Sequence, residues 1–120
     1  MKKKSIKSLI RTCDNLFREY IKLRDKCCQR CHVSVGKLET AHFYSRSYKQ
    51  VRFDPDNACL LCFKCHFLFA HMQPLEFVDF WIKRIGDKSM ENLSKKRNEY
   101  RKMDYEYEKG VLQERIKCLK

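Results

Sequence analysis

The sequence predicts a small α+β protein, mostly helical, whose centre is stapled by a structural zinc ion. Two Cys-x-x-Cys pairs, Cys28-Gln29-Arg30-Cys31 and Cys62-Phe63-Lys64-Cys65, stand far apart in a short chain. Each short turn can present two sulfurs to one tetrahedral ion, so the pairs would clamp distant segments together. Between the pairs lie strand-like runs and turn residues, whereas the flanking segments repeat apolar residues at helical spacing. With 120 residues, 35% of them charged, the chain can bury only a modest core, which a metal would supplement. One zinc can contribute on the order of 10–16 kcal/mol of apparent binding free energy to folding, against a net stability of ~5–15 kcal/mol for ordinary domains. Its loss is therefore expected to unfold the centre.

Charge narrows the function classes. The chain carries 27 Lys and Arg against 15 Asp and Glu, a net charge of +12, which makes a polyanion the natural partner. Nucleic acid fits better than a membrane, because the sequence has no long apolar stretch or basic amphipathic anchor. A basic surface that merely keeps the chain soluble is the plainer alternative. Eight cysteines would suit a secreted disulfide scaffold, but Met1-Lys2-Lys3-Lys4 leads into Ser5-Ile6-Lys7-Ser8 without an apolar core, so no signal peptide is expected. The expected location is cytoplasmic, with reduced, metal-bound thiols.

One domain is expected over 1–120: an N-terminal helix in 1–26, a zinc-bound core in 27–72 and C-terminal helices in 73–120. Lys2 to Lys4 form a basic tip expected to fray. From Ser5 onward Ile6, Leu9, Ile10, Cys13, Leu16, Phe17, Tyr20, Ile21 and Leu23 follow helical spacing, with Lys7, Arg11, Asp14, Arg18 and Lys22 mostly outside the stripe. A helix ending near Asp25 should cover the zinc module and leave basic side chains for phosphate. Cys13 lies on the stripe and is expected in the core. Cys27 is left as a spare thiol, since only Cys28 has the two-residue spacing to Cys31. Cys59, Cys62 and Cys65 recur every three residues, so spacing alone leaves open a ligand set that includes Cys59.

Leu38 to His42, after the Gly36 turn, predicts a strand, and roughly Tyr48 to Phe53 a second, with Ser45-Arg46-Ser47 as the loop between them. Asp54-Pro55-Asp56-Asn57 predicts a turn. A helix should follow from Leu61 or Phe63 to about His71. Gln73-Pro74 opens another, with Leu75, Phe77, Val78, Trp81, Ile82 and Ile85 on its apolar face and Gly86 as its stop. Trp81 at this spacing is expected in the core, with stacking on a base as the alternative. Ser89 to Cys118 predicts a charged helical segment. Met90, Leu93, Tyr100, Tyr107 and Val111 recur at near-heptad intervals, with Gly110 a weak point. This suits packing on the first helix or a short coiled coil with a second copy. Lys95, Lys96, Arg97, Arg101 and Lys102 either lie along DNA or form a solvated face.

The run from Cys28 to Gly86 resembles the phage NinG family, also called Rap, of HNH recombination endonucleases. The resemblance rests on Cys28-x-x-Cys31, Ala41-His42-Phe43-Tyr44-Ser45-Arg46, Arg52-Phe53-Asp54-Pro55-Asp56-Asn57, Cys62-x-x-Cys65 and Arg84-Ile85-Gly86 in combination, and the C-terminal charged segment is also similar. It implies a ββα-metal (HNH) core in which His42 is the general base, a task that suits an imidazole. Asn57 would bridge the turn by side-chain hydrogen bonds and hold the first strand against the helix, and His66 would bind a catalytic Mg2+ or Mn2+ ion. Arg46 and Arg52 would grip phosphates. The family pattern selects Cys28, Cys31, Cys62 and Cys65 for the Zn2+ and leaves Cys59 a buried bystander.

The implied activity is phosphodiester hydrolysis of branched DNA, such as Holliday junctions or displaced-strand loops, in a phage or prophage setting. A two-fold junction would favour a homodimer. The chain departs from the wider HNH pattern at Ala41, where many members carry Asp or His, and from many NinG-like members at His66, where they carry Asn. Glu39 lies roughly 7 Å further along the strand from Ala41. His71, five residues after His66, would stand about 140° away on a regular helix, a poor match for one ion. His32 is expected beside the first knuckle or exposed. The alternatives are a non-catalytic zinc module that only binds nucleic acid, and an HNH nuclease of restriction or homing type that cuts duplex DNA.

Overall fold

A computed structural model describes residues 5–120; the basic tip expected to fray lies outside the described residues. The fold is α+β and mostly helical. Its elements run α1 (Ile6–Asp25), β1 (Leu38–His42), β2 (Ala58–Cys62), a π-helix (Lys64–Ala70), α2 (Pro74–Ile85), α3 (Asp87–Asn98) and α4 (Tyr105–Leu119). None of the described helices is long and apolar enough to cross a membrane.

α1 starts where the Ser5 hydroxyl accepts a hydrogen bond from the Ser8 N–H at 3.2 Å, satisfying one of the donors a helix start leaves open. It buries Leu9, Cys13, Phe17 and Ile21, one residue per turn. Cys13, Phe17 and Ile21 meet Phe53, Ala58, Leu60 and Leu112 in the first of two cores. α4 lies along α1, so the C-terminal segment packs on the first helix. It is not one helix, however. Glu99 turns extended after α3, Tyr100 is 92% exposed, and α4 restarts where the Asp104 carboxylate accepts from the Tyr107 N–H at 3.1 Å. Tyr107 is exposed as well, so the near-heptad spacing across the break forms no continuous stripe.

The sheet is an antiparallel pair in which Leu38 faces Cys62, Ala41 faces Cys59 and His42 faces Ala58. β1 falls where the sequence predicts it, and β2 does not. Tyr48 to Phe53 is no strand: it contains a short 3-10 turn at Lys49–Val51, and another turn covers Pro55–Asn57. The reason is the fully buried Asn57. Its Nδ2 donates to the Tyr44 and Val51 carbonyls, both at 3.0 Å, and its Oδ1 accepts from the Tyr44 N–H at 2.8 Å. One amide side chain thus satisfies backbone groups that a strand would have paired, and the 44–51 segment coils around it.

β2 is Ala-Cys-Leu-Leu-Cys, and its first four residues are all buried. Ala58 and Leu60 face the α1 core, while Cys59 and Leu61 face a second core built with Cys28, Cys65 and Trp81. A strand buried on both faces shows no polar alternation. Its outer edge is paired by the last residue of α1 and the loop after it: the Leu60 N–H donates to Asp25 Oδ2 and the Gln29 N–H to the Leu60 carbonyl, both at 2.9 Å. Because Leu61 stays in the strand, the following helix begins only at Lys64. α2 opens with Pro74 and stops at Gly86, whose φ of 87° suits glycine. Trp81 is a core residue, fully buried, with Nε1–H donating to the Asp56 carbonyl at 2.9 Å.

Asn57→Ala strands one amide and two carbonyls and should cost about 2–4 kcal/mol; urea unfolding of the variant beside the wild type measures this.

Candidate functional site

The sulfurs of Cys28, Cys31, Cys62 and Cys65 all lie within 4.8 Å of one another, and those of Cys31 and Cys62 are 3.6 Å apart. Tetrahedral zinc with bonds of ~2.3 Å separates its sulfurs by roughly 3.8 Å, so the cluster can hold a structural metal such as zinc. The first knuckle is closed by the His32 N–H, which donates to the Cys28 carbonyl at 2.9 Å, with His32 itself at φ 67°. Cys62 ends β2 and Cys65 lies in the π-helix. The cluster therefore ties the loop after α1 to the junction of strand and helix.

Burial works against the Cys28 thiolate, but backbone N–H groups from Cys31, Cys62 and Arg30 prevail and bring its pKa down to about 6. Burial pushes Cys65 up to about 12 even though Arg30 reaches its sulfur at 3.6 Å. Cys59 stands outside the cluster as a buried thiol, pushed by burial to about 12. The four sulfurs that converge are those of Cys28, Cys31, Cys62 and Cys65, and Cys59, Cys27 and Cys13 are not among them.

Beside the four-cysteine cluster, α1 and β1 border a cleft of about 830 Å³ whose walls include His42, Glu39, Arg46, His66 and His71. His42 closes β1. Its Nε2 lies 3.1 Å from the Arg52 carbonyl, and its ring packs on Phe17 with centroids 5.6 Å apart. A carbonyl only accepts, so Nε2 carries the proton and the lone pair sits on Nδ1. Burial lowers the His42 pKa below the ordinary 6.5; the bond to Arg52 opposes this and the positive charge of Arg46 adds to it. The imidazole is therefore neutral at pH 7.

His66 and His71 stand closer than α-helical geometry would place them. The segment Lys64–Ala70 winds as a π-helix, in which the hydrogen bonds run from residue i to i+5 and side chains five apart come round to one side. The two imidazole centroids are 5.4 Å apart, and His66 Nδ1 is 3.8 Å from the Glu39 carboxylate. Two imidazoles and a carboxylate are a donor set suited to a divalent cation. Among the described residues only the four cysteines converge closely enough to hold an ion as they stand, so this second group is looser.

Two expected roles change. Asn57 bridges the turn by side-chain hydrogen bonds as expected, but these bonds reach the 44–51 loop and not β1 or the helix. Arg52 is engaged by both carboxylate oxygens of Asp14, at 3.0 and 2.6 Å, so it clamps α1 to the loop instead of presenting its guanidinium to solvent. Arg46 is exposed on the rim of the cleft. In the C-terminal basic run, Lys95, Lys96 and Arg101 have carboxylate partners, while Arg97 lies over Tyr44 and Tyr48 at 4.7 and 5.4 Å. Sequence reasoning set His71 aside; the signal was its five-residue spacing from His66, which fits a π-turn and not an α-turn.

Comparison with protein-family models, with curated proteins and with solved structures yields no match to this chain.

The purified protein should carry one zinc per chain. Cys62→Ser should abolish or sharply weaken zinc binding and lower the unfolding midpoint, whereas Cys27→Ser should leave the stoichiometry unchanged. Elemental analysis and thermal melts with and without chelator check both.

Proposed function

We propose that the protein is a divalent-metal-dependent DNA endonuclease of the HNH type, acting on branched DNA by phosphodiester hydrolysis. One observation carries the reading: a neutral histidine with its proton fixed on Nε2 shares a cleft with His66, next to a four-cysteine cluster that ties the loop after α1 to β2 and the π-helix. In this reading β1, β2 and the π-helix are the ββα unit. His42 Nδ1 takes a proton from a water molecule as that water attacks phosphorus, and the bond to the leaving sugar oxygen breaks. A Mg2+ or Mn2+ ion bound by His66, with Glu39 and His71 beside it, would offset the charge building on the phosphate and the leaving oxygen.

Arg46 on the rim and Arg18 and Lys22 of α1 offer positive charge along the cleft, and the net charge of +12 supports a polyanionic substrate. The preference for branches, Holliday junctions or displaced-strand loops rests on the resemblance of the 28–86 run to the NinG family. The same resemblance carries the phage setting, the cytoplasmic location and the homodimer on a two-fold junction.

A non-catalytic zinc module that binds nucleic acid is favoured by a different observation. Ala41, the residue before His42, is buried against the second core and offers no metal ligand. The two readings separate on a labelled four-way junction assayed beside linear duplex with magnesium or manganese. Preferential cutting of the junction is expected; equal cutting of both removes the branch preference, and no metal-dependent cutting leaves the binding module.

His42→Ala should lower the cutting rate by about a hundredfold or more and leave the junction Kd within twofold, read by single-turnover cleavage and anisotropy. The base must be unprotonated and its pKa is lowered in the fold. The rate should therefore be lost as pH falls through a midpoint below 6.5, the ordinary histidine value.

A further inference from the structure

An exposed aromatic pair stands at the start of the π-helix that carries His66. Phe63 and Phe67 are 56% and 53% exposed, and their rings stand nearly parallel, 4° between planes with centroids 5.5 Å apart. Phe67 lies 6.1 Å from the His71 ring, and His71 lies 5.4 Å from His66. Four flat rings thus form a continuous run from the cleft out to open surface. A core needs none of this, because Cys65 and Phe69, on the opposite side of the same helix, already fill the interior.

We infer that the Phe63–Phe67 pair is a stacking platform for the unpaired bases of a DNA single strand that leaves the cleft past His66 and His71. The inference rests on the nuclease reading and names the part of the substrate that reading leaves open. A base and a phenyl ring stack through their faces irrespective of sequence, and parallel exposed rings offer that geometry. The occupant follows from charge. Lys64 is exposed between the two phenylalanines in sequence, and the chain as a whole is strongly cationic. A second copy would bring like charge to like, whereas a nucleic-acid strand brings phosphates alongside its bases. A duplex hides its base faces within the stack, so the platform selects a strand that is already open, such as the arm of a fork or a displaced loop.

The zinc-loaded protein is titrated, without added divalent cation, against a fluorescein-labelled single strand and a duplex of the same length, followed by anisotropy. A second single strand carries 2-aminopurine, whose emission stacking quenches. The wild type should quench 2-aminopurine. Replacing both rings (Phe63→Ala with Phe67→Ala) should weaken single-strand binding on the order of ten- to a hundredfold, leave duplex binding within twofold and abolish the quench. Phe67→Trp should keep it. Because both side chains are exposed, zinc content and melting midpoint should be unchanged.

Wild-type protein that binds the strand without quenching, or a double variant that binds it as tightly as wild type, overturns the platform while leaving the nuclease reading standing. Sedimentation showing a wild-type dimer that the double variant dissolves assigns the patch to a second copy and also overturns it. Wild-type protein that binds neither DNA removes both proposals.

Discussion

The four-sulfur cluster is the constraint on which the rest of the structure depends. Neither the two-stranded sheet nor the seven-residue π-helix would hold as a free segment, since an isolated hairpin is marginal in water and a short helix more so. Cys28 and Cys31 sit in the loop that follows the long first helix, and Cys62 and Cys65 at the junction of strand and helix. Bringing their sulfurs within 4.8 Å of one another fixes three elements with a single contact. Asp25 and Gln29 then pair the free edge of β2 within the same turn, so the cluster and the backbone hydrogen bonds enforce one register.

That constraint places the cleft. With β2 held between two cores, β1 runs along its other edge and ends at His42 against Phe17 of α1. The ring is aimed by a backbone carbonyl, and its protonation is set by burial. Both depend on the 44–52 segment keeping its coil. That coil is maintained by Asn57 from one side and by the Arg52 ion pair to α1 from the other.

The π-helix is a local concession. Its hydrogen-bond geometry is poorer than that of an α-helix, which is why such turns are rare and cluster at sites with a task. Here it brings His66 to the same side as His71 just past its end, turns Cys65 and Phe69 inward and leaves Phe67 outward beside Phe63 at its start. An α-helical winding of the same residues would send His71 away from His66.

Much of this was legible in the residues. The Cys-x-x-Cys pairs, the amphipathic stripe of α1, the first strand, the Asp54–Asn57 turn and the Pro74 and Gly86 boundaries of α2 each follow from local chemistry: ligand spacing, periodicity, and backbone preferences that neighbours in sequence suffice to set. Three features were decided only by the tertiary structure. β2 is buried on both faces and so lacks the alternation that marks a strand. The segment 64–70 winds as a π-helix while Cys65 stands among sulfurs distant in sequence. Arg52, read as a phosphate ligand, is captured by Asp14 of α1. In each case the partner lies far along the chain, and no local pattern records it.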